Sequence, residues 1–493
     1  LTLYYLIGLV LVAVILSFLG ILQYSPYDIL LDTLVTMVAC YIFNIIFAKI
    51  FRAVISTESM YITALILVLI IPVKFPHNIT FFLLASAFAM GSKYFVTIGK
   101  RHVFNPAAAA VAGIALLSPT EHTATWWVGT QAMLPFVIIG GLLVMRRIQR
   151  ETMVVTFLGS YVVIVAVAAF LHSGSVVSVV SSLQTGVFHS ALFFFTFVML
   201  TEPLTSPTTK KLRRYYAMLV ALLYATPQIR FATVVTPELA LCIGNAFSYI
   251  VSPKYRFMLP LKEKIQIAAN TYVFNFGKVS DFAFVPGQYM EWTLPHKNPD
   301  NRGNRRYFSL ASSQSEDIQL MVRFYNPPSS YKKALLDLQP TQEIIATSLA
   351  GDFVMPKNLQ KPLVFVAGGV GIAPFRSMLQ SIIEKNMHVN ITVLYANRTK
   401  DEIAFVDVLE KARVFGVNTI YTLTDKDHIP LDWAGLVGYF MPDVIAKYIP
   451  DFAKRIFYIS GPQPMVQGFE QTLRVLHVDR NQIITDYFPG YTE

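Results

Sequence analysis

"VFVAGGVGIAPFRSML", residues 364–379, decides the architecture of the second half of this chain. Branched and aromatic apolar residues run into Gly368, Gly369 and Gly371, and an amphipathic run opens at once. That is the pattern of a buried strand turning sharply into a helix, with N–H groups left bare at the helix start. Such a turn cradles a pyrophosphate, because glycine lets a ligand approach the backbone and the helix end carries partial positive charge. Working outward, residues 361–493 alternate strand and helix patterns, as in "ITVLYANR", "IAFVDVLEKAR" and "RIFYISGPQPMVQGFEQTLRVL", which predicts an α/β doubly wound parallel sheet. Upstream, residues 254–360 hold short alternating runs between turn signals ("KIQIAANTYVFNFGKV", "FVPGQYMEWTL", "IQLMVRFY") and predict an antiparallel β-barrel.

The first half is different in kind. Apolar residues make up 54% of the chain and charged residues 14%, and the apolar excess lies in residues 1–253. Apolar windows predict ten helices, at roughly 3–22, 29–50, 60–73, 79–97, 103–118, 130–147, 152–171, 186–203, 214–229 and 236–252, in a polytopic membrane domain. The opening run has no cleavage-site pattern and is read as a spanning helix. Loop charges set the orientation: fourteen Lys and Arg fall on one side, and only Lys74 and Arg230 on the other. By the positive-inside rule both termini and the C-terminal domains lie in the cytoplasm, at a prokaryotic-type plasma membrane. The net charge of +10 accumulates mainly in this half, which argues for a lipid partner and against nucleic acid. "YITALILVLIIPVKFP" (61–76) and "FHSALFFFTFVMLTEPLTSP" (188–207) are short segments with Pro-rich exits, each third in its five-helix half. They predict inverted repeats with a binding site near the repeat interface.

Three motifs stand in order in the soluble half: "RRYFSLASS", "GGVGIAPFRSML" and "YISGPQPMV". In this order and spacing they resemble the ferredoxin–NADP reductase family over about residues 255–493. The resemblance implies FAD and NAD(P)H. It implies that Arg306 pairs with the flavin pyrophosphate, Phe308 flanks the isoalloxazine and Ser309 bonds near the reactive nitrogen, with Tyr307 at the ribityl or phosphate region. "SSYKKALLDL" implies Ser330 and Lys332 at the flavin phosphates. Gly368, Gly369, Gly371 and Pro374 match the nicotinamide-nucleotide loop. Gly461, Pro462 and Met465 match the element beside the nicotinamide, with Ser460 where the family often has Cys. Ser309 and Ser460 are thus the candidate catalytic residues. Arg398 follows a strand where a 2′-phosphate would be met, and the choice between NADH and NADPH stays open. Phe488 or Tyr491 of "DYFPGY" would cover the nicotinamide-facing side of the flavin.

"GSKYFVTIGKRHVFNPAAAAVAG" and "MLTEPLTSPTTKKLRR" resemble the flavin-binding membrane subunits of the sodium-pumping NADH:quinone oxidoreductase and the Rnf complex, a resemblance covering about residues 1–253. It implies a buried flavin near Lys93, Arg101, His102, Asn105, Pro106, Thr201, Glu202 and Thr205. Asn-Pro and Glu-Pro also break helices, freeing backbone groups at membrane depth. The S-G-A-T element through which that family attaches FMN is missing from the loop "SPTEHTATWW", where Thr123 and Thr125 are the only stand-ins. A noncovalent second flavin, FMN or riboflavin, is therefore expected. Haem is not, because no predicted helix carries two well-spaced histidines among His77, His102, His122, His172 and His189. Cys40 and Cys242 exclude a disulfide scaffold, a zinc ribbon and a plant-type iron–sulfur cluster, and read as packing residues unless a homodimer joins four.

The expected function is a membrane-bound NAD(P)H oxidoreductase. It would pass electrons through FAD into or across the membrane to an external flavoprotein, a quinone or a small oxidant. Quinone reduction coupled to Na⁺ or H⁺ movement is the second reading. A transporter of a flavin-type solute, regulated by its reductase domain, is the third.

Overall fold

The computed structural model describes residues 1–51, 57–98, 101–117, 124–188, 190–227, 229, 235–252, 256–280, 282–300, 303–356 and 358–488, without the side chains of Ile98, Arg101, Tyr487 and Phe488. The chain divides into two compact units, Leu1–Lys254 and Tyr255–Glu493.

The first unit is helical: α1 (Thr2–Phe18), α2 (Pro26–Ile50), α3 (Thr57–Ile70), α4 (Ile79–Phe95), a short hairpin of β1 (Thr97–Ile98) and β2 (Arg101–His102), α5 (Pro106–Leu117), α6 (Leu134–Ile148), α7 (Glu151–Ser173), α8 (Val176–Phe188), α9 (Leu192–Phe194), α10 (Lys210–Tyr224) and α11 (Pro237–Val251). Proline sets many of the boundaries. It opens α2, α5 and α11, where its missing N–H is not needed, and Pro72 follows the end of α3. α9 runs on into a π-helical turn over Phe195–Leu200, which stops before Glu202-Pro203. Of the described helices, α2 and α7 are long and apolar enough to cross a membrane. The α8 and α9 segments, bent by 62°, pass together as one broken span, and α1, α3, α4, α5 and α11 are shorter apolar helices.

One element was not expected. α8 occupies "VVSVVSSLQTGVF" (Val176–Phe188), and all but its last three residues fall between the predicted helices 152–171 and 186–203, where β-branched and Ser residues weaken any helical signal. Packing repeats within the unit. α2 lies on α4 as α7 lies on α10, and α4 lies on α5 as α10 lies on α11, while α5 also meets α11. One apolar core serves both halves, with Phe82, Phe157, Phe195, Tyr161 and Tyr216 fully buried in it.

The second unit contains two antiparallel sheets and one parallel sheet. Its elements are β3 (Arg256–Pro260), β4 (Glu263–Ala268), β5 (Thr271–Asn275), β6 (Tyr289–Thr293), β7 (Arg305–Ser309), β8 (Gln319–Arg323), α12 (Ser330–Asp337), β9 (Glu343–Ala350), β10 (Leu363–Gly368), α13 (Ile372–Glu384), β11 (Ile391–Asn397), α14 (Val406–Ala412), β12 (Val417–Leu423), β13 (Leu436–Val437), α15 (Pro442–Tyr448), β14 (Ile456–Pro462), α16 (Gln463–Val475) and β15 (Ile483–Phe488). Where a barrel was expected, the described strands form a four-stranded sheet, β3-β9-β6-β7, and a three-stranded sheet, β4-β5-β8. A single bridge, Leu310 to Leu320, links them, and Phe274, Phe276, Met290, Trp292 and Ile344 fill the core. The parallel sheet has the order β13-β12-β11-β10-β14-β15. The chain leaves β10 toward β11 on one side and returns to β14 on the other. The carboxyl ends of β10 and β14 therefore frame a topological switch point, where doubly wound sheets bind their ligands.

Candidate functional site

The glycine loop sits at that switch point. Gly368 closes β10, Gly369 adopts φ +52°, and Gly371 leads into α13, whose first turn buries Pro374. A Cβ on Gly371 would press on the Ser460 carbonyl oxygen and come within 2.8 Å of Gly461 Cα. One on Gly461 would stand 2.8 Å from Met465 Sδ, and one on Gly368 would strike the same sulfur and lie 3.4 Å from Pro462 Cδ. The structure thus brings Gly368, Gly371, Ser460, Gly461, Pro462 and Met465 into one packed corner. Ser460 is fully buried and its hydroxyl has no hydrogen-bond partner. An orphaned donor beside bare backbone N–H groups fits a nicotinamide nucleotide.

Arg398 is exposed, with Nη2 3.8 Å from Asp425 Oδ2. His428 Nδ1 lies 3.2 Å from the same oxygen, and its hydrogen bond, aided by the Arg398 charge, holds the Asp425 carboxyl below the ordinary Asp range. β15 registers the Phe488 backbone against Pro462. The Phe488 side chain and all of Tyr491 lie outside the described residues.

The flavin candidates gather on β7 and at the start of α12. Arg306 donates to the Gly303 carbonyl at 3.1 Å, lies over the Tyr331 ring at 5.0 Å and faces Asp300 Oδ1 at 3.7 Å. The same Asp300 accepts from the Ser330 N–H (3.0 Å), and its own N–H donates to Ser330 Oγ (2.9 Å). His296 Nε2 stands 3.0 Å from that hydroxyl. Asp300 and His296, which no motif revealed, therefore tie Arg306 to the N-terminus of α12, where Ser329 caps the helix. Ser309 is buried and its hydroxyl has no partner, which fits a flavin edge. Half-buried Phe308 packs against Tyr331 at 6.2 Å. Two candidates face elsewhere. Tyr307 donates to Glu291 Oε2 at 2.8 Å, and burial, helped by that carboxylate, pushes its phenol well up. Lys332 Nζ donates to the Arg323 carbonyl at 2.5 Å.

In the helical unit, Glu202 organises the candidates. Its Oε2 accepts from Asn105 Nδ2 at 2.8 Å and Thr205 Oγ1 at 3.0 Å, and His102 Nε2 lies 3.9 Å from Oε1. The Asn105 N–H donates to Asn245 Oδ1 at 2.9 Å, and Asn245 Nδ2 donates to the Tyr216 hydroxyl at 3.1 Å. Asn245 and Tyr216 were missed, although a lone Asn in the apolar "LALCIGNAF" is the signal that finds such residues. Thr201 turns its hydroxyl back to the Phe197 carbonyl at 2.6 Å, and Lys93 Nζ donates to Ser59. The Arg101 side chain and Thr123 lie outside the described residues. A cleft of about 740 Å³ in the same unit is lined by Tyr24, Trp126, Trp127, Thr130 and Tyr224 among others. Trp126 Nε1 donates to Glu238 Oε1 at 2.6 Å. Cys40 and Cys242 are free thiols, and the described residues contain no cluster of metal-ligating side chains.

Residues 2–134 match the NQR2, RnfD, RnfE family, and residues 365–471 match the oxidoreductase NAD-binding domain. Among curated proteins, the reductase component of propane 2-monooxygenase from Rhodococcus jostii is 27% identical over 213 residues, covering 42% of this chain and 56% of that protein. The chain thus spans little more than half of that relative. NADH-cytochrome b5 reductase 1 of Emericella nidulans is 27% identical over 229 residues, covering 44% of this chain and 73% of that one. Among solved structures, the Amycolatopsis cytochrome P450 reductase GcoB aligns with a TM-score of 0.43 at 21% identity, over 48% of this chain and 70% of that one. The flavohem-like FAD/NAD binding domain of the Vibrio cholerae nitric oxide dioxygenase aligns at 0.42 and 22%, over 47% and 98%. The chain carries an NQR2/RnfD/RnfE family domain at its N-terminus and an oxidoreductase NAD-binding domain at its C-terminus.

Proposed function

We propose that this protein is a membrane-bound NAD(P)H oxidoreductase that takes electrons from a nicotinamide nucleotide at the glycine loop and delivers them into the membrane unit. The observation that carries the reading is one polypeptide joining an oxidoreductase NAD-binding domain to an NQR2/RnfD/RnfE domain. In this reading Arg306 and the α12 N-terminus, aligned by Asp300, hold the FAD phosphates. Phe308 flanks the ring and Ser309 offers its free hydroxyl to the flavin edge. Ser460, Gly461 and Met465 shape the nicotinamide side. FAD, when bound, supplies the change from two-electron to one-electron transfer. NADH is the favoured nucleotide, because Asp425 presents a carboxylate beside Arg398 where a 2′-phosphate would have to sit.

In the membrane unit, Asn105, Glu202, Thr205 and Asn245 are the proposed polar frame of a second, noncovalent flavin. That frame joins the Asn-Pro and Glu-Pro breaks of the two halves, which supports a reading of two inverted repeats; the proposed topology has ten crossings, with the reductase placed in the cytoplasm by the loop charges. The acceptor is then an external flavoprotein or small oxidant. A quinone is the second reading, favoured by the aromatic cleft around Trp126 and Trp127. Cofactor analysis of the purified protein tests the proposal. One FAD and one further extractable flavin per chain supports it. FAD alone removes the second flavin, and absence of FAD overturns the whole reading.

A further inference from the structure

Arg323 ends β8 in the antiparallel half of the second unit, yet its guanidinium reaches the glycine loop. Its Nη1 lies 3.7 Å from where a Cβ on Gly369 would stand. Nη1 donates to Glu402 Oε2 at 2.8 Å, and Nη2 pairs with Glu402 Oε1, a two-pronged contact between mostly buried side chains. The guanidinium also packs over the Tyr325 ring at 5.2 Å, and its Nε is buried without a hydrogen-bond partner. Glu402 is held in turn by the Arg398 N–H at 3.2 Å. A planar cation is therefore braced beside bare glycine backbone, with its fork filled by a carboxylate. Guanidinium forks match carboxylate and phosphate alike.

We propose that Glu402 is a stand-in anion: it keeps the Arg323 fork aimed and charge-neutral until the dinucleotide pyrophosphate displaces it. Nucleotide binding is then an exchange of partners on Arg323. The cross-link between the antiparallel and parallel parts of the unit opens as the nucleotide arrives. Arg323 favours the bound state and Glu402 opposes it, so the two residues act on affinity in opposite directions. The proposal rests on the reading of the glycine loop as a nicotinamide-nucleotide site.

The test is NAD⁺ binding to the full-length protein in detergent by titration calorimetry, with KM for NADH as a second readout. E402Q is expected to tighten NAD⁺ binding about fivefold and R323A to weaken it about tenfold, the scale of one charge-assisted contact. R323K, which keeps the charge and loses the fork, is expected in between. A mere structural brace predicts parallel losses in R323A and E402Q, with matching drops in melting temperature, and that outcome overturns the proposal. If the wild-type protein binds no NAD⁺, the nucleotide-site reading fails first. Folding of each variant is checked by FAD content.

Discussion

Asn105 donates its side-chain amide to Glu202 Oε2 across 2.8 Å, although 97 residues separate the two in the chain. The bond joins the helix break at Asn105-Pro106 to the one at Glu202-Pro203, and Asn245 extends it to α11. Removing Asn105 takes one side-chain donor from the partly buried Glu202 carboxylate and leaves Thr205 as its hydrogen-bonded neighbour. Asn105→Ala is expected to weaken retention of the second flavin at least about tenfold, since a hydrogen bond to a charged group contributes ~1.5–3 kcal/mol. FAD content should stay level. Acid extraction and separation of the flavins measures both, and equal losses would sink the assignment.

Ser309 and Ser460 are buried hydroxyls without partners, one in each half of the second unit. Each is expected to gain its partner from a bound ring. Ser309→Ala and Ser460→Ala should each slow flavin reduction by NADH about tenfold, the rate equivalent of one ordinary hydrogen bond. Stopped-flow absorbance gives the rate directly. Unchanged rates in both variants would remove the hydroxyls from the chemistry.

Gly371 has no room for a side chain, because a Cβ would press on the carbonyl oxygen of Ser460. Gly371→Ala must push β14 away from the loop, and overpacking of this kind costs about 1–3 kcal/mol. A lower urea midpoint, together with weaker NAD⁺ binding, is the expected pair of results. A variant that melts like wild type shows that the corner yields.

Asp425 faces Arg398 at 3.8 Å. Asp425→Asn is expected to narrow the preference for NADH over NADPH about tenfold, because it removes a like charge from the position a 2′-phosphate must approach. The ratio of kcat/KM values for the two nucleotides decides it. A wild-type preference for NADPH would reverse the assignment.

Arg455 is buried under the parallel sheet, where it donates to Asp451 Oδ1 at 2.7 Å and reaches Thr392 and Asn390. That hydrogen bond and the Arg455 charge hold the Asp451 carboxyl below the usual range. A depressed carboxyl contributes stability that is complete above its unfolded value, about 4, and is lost as pH falls through the folded value. Asp451→Asn should therefore lower the urea midpoint at pH 6 to 7, and the two proteins should begin to converge only as pH falls below about 4, meeting once it is below the folded value. A difference that persists in acid would mean that Asp451 acts through packing alone.

Much of the second unit was legible because its signals are local. A strand meeting Gly368-Gly369-Val370-Gly371 and an amphipathic run specify their turn within a dozen residues, and "YISGPQPMV" does the same for β14. Asp300 and His296 were not legible, since each matters through a partner that folding alone brings near, whereas Asn245 carried a signal, a lone Asn in an apolar run, that went unread. Lys332 and Tyr307 show the converse: their positions match a motif, yet their side chains are engaged by Arg323 and Glu291. The α8 helix escaped because Val and Ser carry little helical preference, and its form depends on packing against α7.

The two thiols described earlier, Cys40 and Cys242, are unbridged. The described fold thus has no S–S bond for a strong reductant to break. An anaerobic dithionite titration consequently spends no electrons on a disulfide there, and the equivalents consumed per chain report bound redox cofactors without any extraction.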